Sequence, residues 1–264
     1  CALLWGVNPA ESDNSLFWHT IQEFSRRGKP IIVVDPRKTA TAKLATLWLP
    51  VRPGTDPVLA LGLLHVIIRE KLYNLNFVDL WCHGFAELEK HVASYSPSYV
   101  EAVTGVKAED VIKAARLFAG KFPATLYSGR GIDQLGPNTV PTHRALAILR
   151  AVTGNVDVPG ASHISEMPDF IPEIDLELSA QFPEHSRRNN IARNRLLLQS
   201  YSGYERLKSL TMKHNKRLPM RYLTSAHPNL IWRAMLNGEP YPVRSMIVMA
   251  SDPLLTQADT HLIY

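Results

Sequence analysis

Residues 31–34 read Ile-Ile-Val-Val, four β-branched aliphatic residues with no polar position among them. Branching at Cβ favours a pleated strand. The lack of alternation leaves neither face to water, so such a strand has to be covered on both sides. The flanking sequence supplies the cover. Leu3-Leu-Trp5 is a short apolar run that stops at Gly6. Residues 15–27 carry Leu16, Ile21 and Phe24 at helical spacing, and Gly28 stops them. Pro36 closes the second strand, Thr39 to Ala45 reads as a short Ala-rich helix, and Thr46 to Val51 as a third strand. Asp56 or Pro57 then opens a long apolar helix through Glu70. Strands alternating with helices predict an α/β fold around a doubly wound, mostly parallel sheet.

Further along, residues 77–81, 87–91 and 108–118 read as helices, Ala124 to Tyr127 as a strand before Gly129-Arg-Gly131, and 139–152 as a helix ending at Gly154-Asn155. After Pro159-Gly160 the character changes, and a domain boundary is expected near residue 160. Residues 163–186 are rich in proline and acid, and 184–221 turn basic. Residues 229–237 read as a helix and Pro242 to Met249 as a final strand before Ala250-Ser-Asp252-Pro253. The expected organisation is a nucleotide-binding domain over 1–160 and part of a neighbouring α/β domain over 161–264. The chain opens inside an apolar run without an initiator methionine, and His261-Leu-Ile-Tyr264 reads as the first turn of a helix. The expectation is an internal piece of a longer protein, so the compartment stays open.

With two cysteines, Cys1 and Cys82, and no CxxC pair, a disulfide framework and a protein-ligated iron–sulfur cluster are excluded within this stretch. No apolar run is long enough to cross a bilayer. The net charge of +5 permits an anionic ligand without naming one.

Three loops follow the three leading strands: Gly6-Val-Asn-Pro-Ala-Glu-Ser12, Asp35-Pro-Arg37 and Pro53-Gly-Thr-Asp56. In a parallel sheet they share the edge where ligands bind. Gly6 allows close approach of a ligand to the backbone, and the loop after it feeds a helix whose free N–H groups favour phosphate. Asp35 stands where a dinucleotide fold takes ribose hydroxyls, Arg37 offers a charged bond to phosphate, and Asp56 offers acceptors for guanine N1–H and its amine. The plainer readings are a tight turn at Gly6, a strand end at Asp35-Pro36 and an N-cap at Asp56. No GxGxxG is present, which counts against an ordinary nicotinamide site.

The ordered set LWGVNPAES, then IIVVDPRKTATAKLATLWLPVRPGTDPVLALGLLHVI, resembles the molybdopterin oxidoreductases of the dimethyl sulfoxide reductase type. Gly129 to Gln134, Thr153-Gly-Asn155 to Pro159-Gly160, and Ala250-Ser-Asp-Pro253 to Gln257 continue it in order. The resemblance implies a Rossmann-like domain that binds molybdopterin guanine dinucleotide, two of which hold molybdenum or tungsten in the family. It implies that Gly6, Asn8, Glu11 and Ser12 contact one dinucleotide, followed by Asp35 and Arg37. Gly54, Thr55 and Asp56 would take its guanosine end, Arg130 and Gln134 would approach the pterin, and Ser251 and Asp252 would meet the second dinucleotide. The family's [4Fe–4S] segment and its metal-ligating residue lie upstream of the first loop, so no metal ligand and no catalytic residue are expected in this stretch, and no redox turnover from it alone. Implied partners are the other domains of the same chain, with iron–sulfur and membrane-anchor subunits, and no nucleic acid or direct membrane insertion.

Two other readings stay open. One is a generic nucleotide-binding module of another enzyme class. The other is a nucleic-acid module built on Arg187, Arg188, Arg193, Arg195, Arg206, Lys208, Lys213, Lys216, Arg217 and Arg221, against which the interspersed Leu196-Leu-Leu198, Leu207 and Leu210 favour a packed helix face. Among ten scattered histidines, His143 is the one near the pterin-facing loop.

Overall fold

The computed structural model describes residues 1–12, 16–164, 181–191, 199–215, 226–257 and 259–263, with backbone alone for 187–188, 211–212 and 214–215. The chain divides into two compact units, Cys1–Glu166 and Met167–Tyr264.

In the first unit, β1 (Ala2–Trp5), β2 (Ile31–Val34), β3 (Leu47–Leu49) and β4 (Thr125–Ser128) form one parallel sheet in the order β3-β2-β1-β4. Leu3 pairs with Ile32 on one side and Leu126 on the other, and Trp5 with Val34 and Ser128. All residues of β1 and β2 are buried, as unbroken apolar runs require.

Alternation along the strands divides the core. Leu3, Trp5, Ile32, Val34 and Leu49 face Leu59, Leu63 and Ile67 of α4 (Asp56–Arg69), Phe118 of α8 (Ala108–Ala119), and Leu146 and Leu149 of α10 (Thr139–Val152). On the other face, Leu4, Ile31 and Val33 pack with Ile21 of α2 (Leu16–Arg26) and Ala42 of α3 (Ala40–Lys43). Each fully buried aliphatic side chain contributes about 1.5–3 kcal/mol. Helices therefore cover both faces, and the sheet is doubly wound.

The chain order follows. Through α1 (Pro9–Ser12) and α2 it passes from β1 to β2, and through α3 to β3. It then runs across one face through α4, α5 (Leu75–Trp81), α6 (Phe85–Val92), α7 (Pro97–Thr104) and α8, and returns beyond β1 as β4. The strand order reverses between β1 and β4, and that reversal opens a crevice at their carboxyl ends.

Local chemistry sets the helix ends. Thr39 caps α3, its hydroxyl accepting from the Ala42 N–H. Asn74 caps α5, and Ser96 caps α7 ahead of Pro97. Glu70 at the end of α4 holds Arg116 of α8 through two bonds of 2.8 and 2.9 Å. Gly62 of α4 lets Val100 of α7 in, since a Cβ there would lie 2.5 Å from Val100 Cγ2.

The second unit shows helices Glu184–Arg188, Tyr201–Asn215, Pro228–Asn237, Pro253–Thr256 and Thr260–Ile263, and no strand among its described residues. The strand expected over 242–249 does not form there. A strand is held by a hydrogen-bonded neighbour, and none stands beside it among the described residues. Met246 to Met249 lie exposed instead, Ile247 at 94% and Met249 at 84%. Arg193, Arg195, Leu196, Leu197, Leu198, Lys216, Arg217, Arg221 and most of the proline-rich connection lie outside the described residues, as do the side chains of Arg187 and Arg188. Arg206, Lys213 and Leu210 are exposed on helix Tyr201–Asn215, and Lys208 and Leu207 half-buried. No described helix is long and apolar enough to cross a membrane.

Candidate functional site

A pocket of about 570 Å³ occupies the strand-order reversal. Gly6, Asn8, Glu11 and Ser12 line it from the β1 side, Arg37 from the end of β2, and Tyr127 to Gly131 with Asp133 from the end of β4.

Its floor is made where two loops cross. Gly6 has φ +61 and donates its N–H to the Val34 carbonyl at 2.9 Å. Its own carbonyl accepts from the Gly131 N–H at 3.1 Å, while the Gly129 N–H reaches the Trp5 carbonyl at 2.9 Å. A Cβ at Gly129 would lie 2.5 Å from the Gly6 oxygen, one at Gly131 2.8 Å from it, and one at Gly6 3.1 Å from Ile132 Cγ2. The glycines are thus required by the approach of one loop to the other, a cause distinct from the ligand approach inferred at Gly6. The helix fed by the first loop, α1, is a single turn of four residues, so it brings only a small dipole to the pocket.

Asn8 is fixed from α3, its Oδ1 accepting from Thr41 Oγ1 at 2.7 Å. Its Nδ2 is buried without a partner among the described residues. The Asn8 carbonyl accepts from Ser12 Oγ at 2.9 Å, which closes α1. Arg37 and Glu11 approach across the mouth at 3.9 Å, both exposed.

Of the remaining predicted residues all but Arg130 lie elsewhere. Asp35 is buried, with Oδ1 accepting the Arg37 N–H at 2.8 Å and its carbonyl the Trp48 indole N–H at 2.8 Å. Gly54, with φ +84, makes the turn after β3, and its carbonyl accepts from Asn138 Nδ2 at 2.7 Å. Thr55 occupies the N-cap of α4 without a side-chain cap bond, its hydroxyl donating to the Arg52 carbonyl at 2.7 Å. Asp56, 5% exposed, is the first residue of α4, and its Oδ1 accepts the Trp5 indole N–H at 2.8 Å. Burial pushes its carboxyl above the usual range, while the indole and the main-chain N–H groups of Asp56 and Gly54 pull it back. Arg130 lines the pocket; Gln134, after α9 (Arg130–Asp133), is exposed outside it. Ser251 and Asp252 belong to the second unit, in a pocket of about 470 Å³ shared with Trp232, Leu236 and Leu262. The Asp252 side chain caps helix Pro253–Thr256, accepting from Leu255 N–H at 3.3 Å.

The structure therefore gathers Gly6, Asn8, Glu11, Ser12, Arg37 and Arg130 in one pocket. Sequence reasoning missed Tyr127, Ser128 and Asp133 there. Tyr127 packs at a tilt against Phe17 of α2, with ring centroids 4.5 Å apart. Asp133 Oδ1 sits 2.7 Å from His143 Nε2 of α10. The signal for these residues was Gly129-Arg-Gly131 at the end of a strand, a loop of the same kind as the leading three. Among the described residues, no group of three or more His, Cys, Asp or Glu is placed to hold a metal ion.

A family model described as molybdopterin oxidoreductase matches residues 1–261. Acetylene hydratase of Syntrophotalea acetylenica is 32% identical over 270 residues, 98% of this chain and 36% of that protein. Formate dehydrogenase H of Escherichia coli is 32% identical over 97% of this chain and 34% of its own length, and Escherichia coli dimethyl sulfoxide reductase DmsA 31% over 61% and 22%. The solved structure of acetylene hydratase from Pelobacter acetylenicus matches with a TM-score of 0.71 at 30% identity, covering 99% of this chain and 36% of that one. The chain spans about a third of the length of the hydratase and the formate dehydrogenase.

Proposed function

The chain belongs to the molybdopterin oxidoreductase family, and from that premise we propose that its switch-point pocket holds the pyrophosphate of a molybdopterin guanine dinucleotide, whose guanosine end leaves that pocket toward Gly54, Thr55 and Asp56. The observation that carries the reading is a pocket at the strand-order reversal into which Arg37 and Arg130 enter from two different strand ends. Guanidinium groups pair with phosphate oxygens through two parallel charged bonds. Asn8 adds a buried amide donor that no group among the described residues uses. Proteins named for acetylene, formate and dimethyl sulfoxide match this chain at 32, 32 and 31% identity, the first two over nearly all of it and the third over 61%. A stretch shared so evenly serves what they have in common, a cofactor, more readily than any one substrate.

The roles follow from the residues. Arg37 and Arg130 hold the pyrophosphate, with Gly6, Asn8, Glu11 and Ser12 forming the near wall. Asp35, whose Oδ1 is spent on the Arg37 N–H, offers its second oxygen to ribose. Gly54, Thr55 and Asp56 take the guanosine end, and Gln134 continues the wall toward the pterin. Ser251 and Asp252 serve the second dinucleotide. In the whole protein the pterin-held molybdenum or tungsten supplies oxygen-atom or hydride-equivalent transfer. This chain's part is binding and orientation.

Titration calorimetry with GDP and ADP on the 264-residue chain tests the reading. GDP binds, ADP binds more weakly, and Arg37→Ala and Arg130→Ala each weaken GDP about tenfold or more, as expected for lost charged hydrogen bonds. Asp56→Asn turns one acceptor into a donor and erases most of the guanine preference. Failure of the wild type to bind either nucleotide overturns the reading.

A further inference from the structure

We infer that His143, which stands outside the pocket, sets the charge of the Asp133 wall and thereby how strongly the pocket holds an anionic ligand. The inference rests on the anion-binding reading of that pocket.

The charges lining the pocket cancel, with Arg37 and Arg130 facing Glu11 and Asp133. Glu11 has its counter-charge inside the pocket, Arg37 at 3.9 Å. Asp133 has none there. Among the described residues no lysine or arginine nitrogen lies within ion-pair distance of it, and its one ionisable partner is His143 Nε2 at 2.7 Å. Its main chain is tied to the same helix, since Thr139 Oγ1 donates to the Asp133 carbonyl at 3.2 Å. The carboxylate is therefore held where it is by α10.

The bond survives either charge state of the ring. A neutral imidazole protonated at Nε2 donates the same hydrogen bond as an imidazolium. What changes is the sum. With neutral His143 the wall keeps a full negative charge against an incoming anion. With protonated His143 it is neutral, and the two arginines act unopposed by it. Shape stays constant while charge switches, and histidine is the side chain suited to switch in the physiological range.

The other charged groups on the elements packed against α10 are committed to other partners or form no ion pair with His143 or Asp133. On α4, the Asp56 carboxylate holds Trp5 and His65 Nδ1 meets the Val92 carbonyl at 2.9 Å. Arg150, on α10 itself, donates to the Leu126 carbonyl at 3.0 Å. Arg69 on α4, Asp79 on α5, Arg144 on α10 and Arg130 on α9 form no ion pair with His143 or Asp133. His143 acts on the ligand only through Asp133, and is a positioning and charge-setting residue.

The test is titration calorimetry with diguanosine pyrophosphate, whose diesterified phosphates do not titrate over the range used. Wild-type affinity falls about two- to fivefold between about pH 5.5 and about pH 8.5, the range expected of a half-exposed ion pair. His143→Gln keeps a donor to Asp133 but no charge; it loses this pH dependence and binds at the wild type's alkaline affinity at both pH values. Asp133→Asn also loses it and binds at or above the wild type's acid affinity. A purely structural His143 would weaken binding in the Gln variant equally at both pH values. Equal pH slopes in wild type and His143→Gln, or an Asp133→Asn variant weaker than wild type at alkaline pH, overturn the inference alone. Absence of wild-type binding at every pH overturns the anion-binding reading and this inference with it.

Discussion

Asp56 carries two demands at once. It is the residue expected to read guanine, and it is also the acceptor that satisfies a fully buried tryptophan indole, 51 positions away in sequence. An unpaired buried N–H costs about 1–3 kcal/mol and an unpaired buried carboxylate more, so the Trp5 bond alone is reason enough for an acid here. Trp5→Phe separates the parts. It removes some packing, which is independent of pH, and it removes the donor that stabilises the charged carboxylate. Burial already raises the Asp56 carboxyl, so the folded state holds that proton more tightly than the unfolded chain. This group's contribution is then fully present below the unfolded value and is lost as pH rises through the folded one. Losing the indole raises the folded value further. The destabilisation by Trp5→Phe is therefore larger at about pH 7, by about 1–3 kcal/mol in excess of packing, and shrinks near about pH 4 as Asp56 protonates in the variant. Urea midpoints at the two pH values measure it. A loss that is equal at both shows that the carboxylate charge is not what the indole serves.

At the scale of elements, glycine positions show where backbone contact decides. Gly62→Ala gains about 1 kcal/mol of helix propensity. Against that, the new methyl meets fully buried Val100 at 2.5 Å, and overpacking of this kind costs about 1–3 kcal/mol. The clash equals or outweighs the gain, and denaturant unfolding shows net destabilisation of up to about 2 kcal/mol. Gly129→Ala is worse placed, because the obstacle is the Gly6 carbonyl. That oxygen cannot retreat without loosening the Gly131 and Val34 bonds. Gly129→Ala loses about 2 kcal/mol or more and GDP affinity together, whereas Gly62→Ala keeps affinity. The long elements were legible because period and burial agree over many residues, as in β2, α4, α8 and α10. Ser96-Pro97 and Gly105 are the ordinary signals of a helix start and stop, and they bound α7, which the periodicity did not show. The single-turn helices α1 and α9 are too short to display a period. Gly6 and the Gly129–Gly131 pair were visible as glycines, but their cause, two loops crossing, exists only once β1 and β4 are neighbours. Asp133 escaped for the same reason: its partner is on another helix.

For the molecule as a whole, the same physics that makes β2 a buried strand makes residues 246–249 a liability. Both are runs of apolar residues rich in strand formers. β2 has β1 and β3 beside it, which use up its N–H and C=O groups. The run Met246-Ile-Val-Met249 has no ladder among the described residues, and its side chains stand in solvent. An exposed apolar segment with unpaired backbone is a template for pairing with another chain. The net charge of +5 opposes close approach weakly and less so as salt screens it. The isolated chain therefore self-associates with rising concentration, more at high ionic strength. Ile247→Lys adds a charge at the most exposed of the four positions, where no packing is lost. Light scattering against concentration falls in this variant, while thermal unfolding of the sheet-containing unit stays within about 0.5 kcal/mol of wild type, as for other surface changes. Undiminished scattering in Ile247→Lys shows that association, where it occurs, runs through another surface.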